Sequence, residues 1–127
     1  MKIYYKIKAG NETRVFFVGD VHGEYSSLIN KLEKVNFDKK KDLLVFVGDL
    51  VDRGKEIKQV LDLFLEYECF VGVIGNHDNY MFTAFKDDIW IKDERNGSHQ
   101  TVGQLGSKNL KKYNKKMLSK MSLILEI

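Results

Sequence analysis

Three short, continuous apolar runs punctuate the first part of the chain: Arg14-Val15-Phe16-Phe17-Val18, Leu43-Leu44-Val45-Phe46-Val47 and Phe70-Val71-Gly72-Val73-Ile74. Each is followed by a glycine, Gly19, Gly48 or Gly75, and then at once by polar side chains. Runs of this length and composition predict strands buried on both faces. Between them, Leu28, Ile29, Leu32 and Val35, then Ile57, Val60, Leu61, Phe64 and Leu65, recur at intervals of three and four. That spacing predicts two amphipathic helices, the first capped by Ser26 or Ser27. Ahead of them Ile3, Tyr5 and Ile7 alternate with polar residues, and Ala9-Gly10-Asn11-Glu12 supplies a turn, predicting a hairpin that feeds the first buried strand. Strand, helix, strand, helix, strand predicts an α/β fold, with a parallel βαβαβ sheet, right-handed crossovers and a cover on both faces.

Beyond Asp78 the pattern is weaker. Tyr80 to Phe85 reads as a short helix and Asp93 to Gly106 as a polar, glycine-containing loop. Leu110, Tyr113, Met117 and Met121 then mark a helix whose other face carries Lys108, Lys111, Lys112, Lys115, Lys116 and Lys120, and Leu123 to Ile127 is a last apolar run. No repeat, low-complexity stretch or proline divides the 127 residues, so one domain over 1–127 is expected.

Composition narrows the class. With 43% hydrophobic and 31% charged residues the chain can build a core. No apolar run is long enough to span a bilayer, so no membrane partner is expected. The single cysteine, Cys69, excludes an internal disulfide and a cysteine zinc site and points to a cytoplasmic protein. Residues 1–78 carry 12 basic and 13 acidic side chains while the remainder carries 9 and 5, so the excess positive charge lies on the last helix. Without interleaved aromatics that lysine face reads as a solvated one, and nucleic acid is not the expected partner.

The chemistry lies in the three loops after the strands. They present Asp20, His22, Asp49, Asp52, Arg53, Asn76, His77 and Asp78, all at the carboxyl edge of one sheet, where open α/β sheets bind ligands. Acids crowded on one edge raise each other's pKa unless a cation relieves them. Asp20 and His22, two apart in an extended loop, can face one ion with Asp49 beside them. Mixed carboxylate, imidazole and amide donors suit manganese, iron or zinc. If Asp49 bridges, a second ion can use Asn76, and the pair would acidify a shared water and neutralise phosphoryl oxygens during in-line displacement. Arg53 offers a planar fork for phosphate. His77 is the candidate general acid, with Asp52 orienting it. A strand-end Asp or Asn is often only a turn former, and Asp52 with Arg53 could be a local ion pair. Three such loops, spaced 27 residues from His22 to Asp49 and 27 from Asp49 to Asn76, favour the catalytic reading.

Gly19-Asp20-Val21-His22-Gly23, the unbroken Gly48-Asp49-Leu50-Val51-Asp52-Arg53-Gly54 and Gly75-Asn76-His77-Asp78 resemble the motifs of the calcineurin-like metallophosphoesterases, phosphoprotein phosphatase branch. The N-terminal segment, Glu24-Tyr25 and Phe37 to Asp42 look closest to the lambda-type bacteriophage serine/threonine protein phosphatases. The resemblance implies a β-sandwich flanked by helices and two divalent metal ions, the first on Asp20, His22 and Asp49, the second on Asp49 and Asn76. It further implies His77 as proton donor paired with Asp52, Arg53 on phosphate, and a phosphorylated protein or small phosphoester as substrate. Asp78 stands where that branch has glutamate, and the same GNHD occurs in symmetrical dinucleoside tetraphosphate hydrolases, which stay as an alternative.

The family also supplies two further histidines and an arginine from later strands. Only His99 follows Asp78 here, within Asn96 to Gln100. The expectation is therefore a domain truncated to its N-terminal half, with an incomplete second metal site and impaired activity. A catalytically inactive metal- or phosphate-binding fragment is the further alternative, and sheet surface left uncovered would favour self-association.

Overall fold

The computed structural model describes residues 2–83 and 94–127. Its elements in chain order are β1 (Lys2–Lys6), β2 (Val15–Val18), α1 (Tyr25–Lys34), β3 (Leu43–Phe46), α2 (Ile57–Glu66), β4 (Phe70–Gly72), α3 (Asn76–Thr83), a 3₁₀ turn (Glu94–Asn96), α4 (Ser98–Leu105), α5 (Ser107–Lys120) and β5 (Ser122–Glu126).

β2, β3 and β4 form a parallel sheet with β3 in the middle, Val15 to Val18 against Leu43 to Phe46, and Leu44 to Phe46 against Phe70 to Gly72. Because the strands follow one another across the sheet in sequence order, right-handed crossovers bring α1 and α2 to the same face. The core there joins Leu44, Phe46 and Phe70 to Leu28 of α1, to Ile57, Val60, Leu61 and Phe64 of α2, and to Leu110 and Met117 of α5. Phe46 meets Phe64 edge to face at 5.2 Å between ring centres, a geometry that adds to plain area burial.

Helices therefore do not cover both faces, as the strand pattern suggests. The second face packs Leu43, Val45 and Val71 against Ile7, Val15 and Leu125, the last from β5. Nor do β1 and β2 form a hairpin. β1 pairs in parallel with β5, Lys2 opposite Ser122 and Lys6 opposite Glu126, and a single bridge between Val73 and Ser122 joins this ribbon to the end of β4. Alternation in β1 identifies a strand but says nothing of its partner, and the partner lies 120 residues away. The two layers give the sandwich with flanking helices. The outer side of the ribbon leaves Ile3, Tyr4, Leu123 and Ile124 exposed, and Phe17 on edge strand β2 is 66% exposed.

Other expectations are met with shifts. Neither Ser26 nor Ser27 caps α1; Glu24 occupies the cap position without a side-chain bond, and Ser26 instead donates its N–H and hydroxyl to the Glu56 carboxylate at 3.1 and 2.7 Å. α3 begins at Asn76 and ends at Thr83, so the part of the predicted Tyr80–Phe85 helix beyond Thr83 lies outside the described residues, as does Asp93. The predicted loop to Gly106 is largely α4. Lys120 leaves the lysine face: its ammonium donates to the carbonyls of Phe64 and Tyr67 at the carboxyl end of α2, where a cation meets the negative end of the helix, and burial pushes its pKa down to about 8.

At the edge opposite the three glycine-ended loops, Arg14 forks onto Asp42 with Nε to Oδ1 at 3.0 Å and Nη2 to Oδ2 at 2.6 Å, while the Asp38 N–H donates to Oδ2 at 2.7 Å. Arg14 also donates to the carbonyl of Asn36 at 2.9 Å, tying the ends of α1, β2 and β3 together. The Arg14 hydrogen bonds hold the Asp42 carboxyl below its ordinary value of 3.8. A carboxyl depressed in the folded state contributes stability above 3.8 and loses it as pH falls through the folded value. The melting temperature of Asp42→Asn should accordingly fall furthest below wild type at neutral pH, and the gap should close in thermal melts run progressively below pH 3.8.

Candidate active site

The loop after β3 carries most of the site, and its backbone is unusual. Asp49, Asp52 and Arg53 have φ of 56°, 71° and 69°, and His22 in the neighbouring loop has 41°. Side-chain-bearing residues in the left-handed region cost of order 1–3 kcal/mol each and persist only where surrounding contacts over-determine them. Here those contacts are specific. The N–H groups of Val21 and His22 both donate to the Asp49 carbonyl at 3.1 and 2.9 Å, and Gly23 donates to Leu50 at 3.1 Å, hanging the first loop on the second. Gly48, at φ 99°, lies so close to the third loop that a Cβ would come within 2.5 Å of the Gly75 Cα, so only glycine allows the two backbones to meet.

Asp78 pins this junction. Fully buried, it accepts the N–H groups of Asp49 and Gly75 on Oδ2 at 2.7 and 3.0 Å and that of Leu50 on Oδ1 at 2.9 Å. Burial pushes its carboxyl up to about 6 against the lowering pull of those three donors. The sequence places Asp78 among the acids presented at the rim; its inward direction, onto buried amides, follows from its place in the first turn of α3.

On this frame two of the four expected metal donors, His22 and Asp49, converge, with His77 as the third member of the group in place of Asp20 or Asn76. One ligand atom each of His22, Asp49 and His77 lie within 4.8 Å of one another. His22 donates Nδ1–H to the Val51 carbonyl at 2.7 Å, which leaves Nε2 as the bare nitrogen, buried and, among the described residues, without a hydrogen-bond partner. A histidine held in this way by a backbone carbonyl is oriented as a metal ligand. Asp49 accepts the His77 N–H on Oδ1 at 2.9 Å. Asp20 stands at the edge of the group, its side chain 66% exposed and its Oδ2 4.0 Å from His22 Nε2. Asn76 is exposed at the start of α3. His99 is exposed on α4 and does not join the cluster.

A relay runs alongside. His77 Nδ1 donates to Asp52 Oδ2 at 2.8 Å, and Arg53 Nη2 donates to His77 Nε2 at 3.2 Å, so the imidazole is present as the Nδ1–H tautomer. Asp52 is wholly buried and His77 nearly so. The expected pairing of His77 with Asp52 is thus formed, and the expected phosphate ligand Arg53 lies against the same ring. Three residues that sequence reasoning missed complete the frame: Thr101 bonds Asp52, Gln104 donates to the Gly54 carbonyl at 2.8 Å, and Gly97 accepts the Arg53 N–H at 3.2 Å. All three belong to the segment read as a loop, and no local pattern reveals a polar contact across 49 residues.

A family model described as calcineurin-like phosphoesterase matches residues 13–124. Serine/threonine-protein phosphatase 2 of Escherichia coli is 43% identical over 91 residues, covering 69% of this chain and 41% of that protein. The symmetrical bis(5'-nucleosyl)-tetraphosphatase of Coxiella burnetii is 44% identical over 66 residues, covering 52% of this chain and 23% of that one. A protein serine/threonine phosphatase structure from Saccharomyces cerevisiae superposes with a TM-score of 0.67 at 22% identity, over 97% of this chain and 38% of that chain, a likeness of fold. The chain therefore spans less than half the length of these relatives.

Asp78→Asn keeps the shape but turns one acceptor oxygen into a donor, confronting at least one buried N–H with another. Each N–H left unpaired should cost about 1–3 kcal/mol, read as a lower urea midpoint, with amide exchange at Asp49 and Leu50 accelerated in the same sample.

Proposed function

Because the chain belongs to the calcineurin-like phosphoesterase family, we propose that its three-loop rim hydrolyses phosphomonoesters by in-line displacement, with phosphorylated serine and threonine residues of proteins as the substrate class. The observation that carries this reading is the Asp52–His77–Arg53 relay lying against the His22 and Asp49 donors.

The donor set fits divalent cations: among the described residues, a buried imidazole nitrogen without a partner, a carboxylate that accepts on one oxygen, and an amide at the rim. His22, Asp49 and Asp20 would hold one ion and Asp49 with Asn76 a second, manganese being the first choice and iron or zinc the others. When bound, such ions supply charge neutralisation at phosphoryl oxygens and lower the pKa of water. Asp49 presents its carboxylate in a fixed direction because the His77 N–H occupies Oδ1. Arg53 forks onto the phosphate oxygens, and in doing so releases the Nε2 of His77 that it covers in the free protein. Once Arg53 has turned to the phosphate, the uncovered Nε2 of His77 takes up a proton from solvent, and the resulting imidazolium, its Nδ1–H held and aimed by Asp52, hands that Nε2 proton to the departing oxygen.

Symmetrical cleavage of dinucleoside tetraphosphates is the second reading, supported by the Coxiella burnetii relative and by aspartate at position 78. A cytoplasmic place of work accords with the lone Cys69; among the described residues no helix is long and apolar enough to cross a membrane. The exposed Ile3, Tyr4, Leu123 and Ile124 support self-association through the outer face of the ribbon.

Manganese-dependent hydrolysis of a chromogenic aryl phosphate should appear in the wild type and fall by about 10²–10⁴-fold in His77→Asn. Asp49→Asn should abolish the manganese dependence, and faster turnover of a phosphoserine peptide than of diadenosine tetraphosphate separates the two readings; no turnover of any of the three would overturn both. Sedimentation velocity should show concentration-dependent association that Ile124→Lys removes.

A further inference from the structure

We propose that Thr101 is a positioning residue of this site: its hydroxyl fixes the Asp52 carboxylate and, through it, the tautomer and direction of His77. The inference rests on the phosphoesterase reading for its kinetic consequence only. Thr101 Oγ1 accepts the Asp52 N–H at 2.9 Å and donates to Asp52 Oδ1 at 2.6 Å, a reciprocal pair between two wholly buried residues. The other carboxylate oxygen, Oδ2, is the one that meets His77 at 2.8 Å. With Oδ1 held, the carboxylate plane cannot turn, and Oδ2 stays on the ring nitrogen. The same hydroxyl satisfies the amide of a residue at φ 71°, a conformation that needs an external anchor.

Neighbouring contacts of α4 reach the same loop but act elsewhere. Gly97, at φ 80°, accepts the Arg53 N–H, and a Cβ there would approach the Arg53 nitrogen to 2.6 Å. Gln104 accepts the Ile57 N–H at 2.6 Å and donates to Gly54. These shape the backbone of residues 53–57. Thr101 supplies the α4 contact to a side chain of the relay, so its loss should affect proton transfer while leaving phosphate binding through Arg53 in place.

The test compares Thr101→Val, which keeps the shape and removes the hydroxyl, with Thr101→Ser, which keeps the hydroxyl. In the metal-free chain at pH 8, ¹⁵N shifts of the His77 ring should report the Nδ1–H tautomer in wild type and Thr101→Ser, and a tautomer mixture in Thr101→Val. In manganese-dependent aryl phosphate hydrolysis, Thr101→Val should lower kcat by about 10–100-fold with KM nearly unchanged, and Thr101→Ser should recover most of it. Folded Thr101→Val with the wild-type tautomer and kcat overturns the proposal. Should Thr101→Val fail to fold, Thr101→Ala takes its place in both measurements, and an Nε2–H ring in the wild type is decisive against it. A wild type inert toward every phosphoester removes the functional reading while the tautomer measurement still decides the role of Thr101; an active enzyme with an unmoved tautomer removes that role alone.

Discussion

The site depends on one constraint: four residues with side chains, His22, Asp49, Asp52 and Arg53, are held in left-handed backbone conformations along two adjoining turns. Left alone, such turns would relax toward the extended or right-handed regions, and each donor would point elsewhere. They are held because every turn has a buried anchor in another part of the chain. Asp78 grips the amides of Asp49 and Leu50, the Asp49 carbonyl grips the first loop, and Thr101 grips the amide of Asp52. The strain is then a means of aim, since side chains on left-handed residues project in directions that ordinary turns cannot reach.

Those anchors work only because the sheet delivers the loops to one edge. Parallel strands in the order β2-β3-β4 end their loops side by side, and right-handed crossovers place α1 and α2 on the same face, leaving the other to the β1–β5 ribbon. The opposite edge is closed by Arg14 and Asp42. A firm base and a strained rim on the same short strands fit a site that must stay in place without being a large fraction of the core.

Chemically, the rim divides into two halves that share Asp49 and His77. On one side the bare Nε2 of His22 and the carboxylate of Asp49 form a donor set suited to a divalent cation. On the other a hydrogen-bonded chain runs from Asp52 through His77 to Arg53, the arrangement on which the proposed proton transfer and phosphate binding rest. The backbone N–H of His77 on Asp49 Oδ1 joins the halves. In the structure the Arg53 guanidinium lies against the ring of His77, and in the proposed reaction it would exchange that partner for phosphate.

Much of this was legible in the sequence, because strand burial, helical period and the glycine after each strand are local properties that side-chain chemistry fixes residue by residue. The βαβαβ order, the edge on which the loops meet and the candidate residues Asp20, His22, Asp49, Asp52, Arg53, Asn76 and His77 could be read from them, and the structure draws His22, Asp49, Asp52, Arg53 and His77 together while Asp20 and Asn76 stay exposed at the rim. The tertiary structure alone decided that β1 pairs with β5, that helices cover one face, that Lys120 turns onto the end of α2, and that α4 reaches back through Thr101 and Gln104 to brace the loop after β3. These are contacts between segments distant along the chain. Polar residues such as Thr101 and Asp78 have the same local appearance whether they face water or a buried amide, and only the folded neighbourhood chooses between the two.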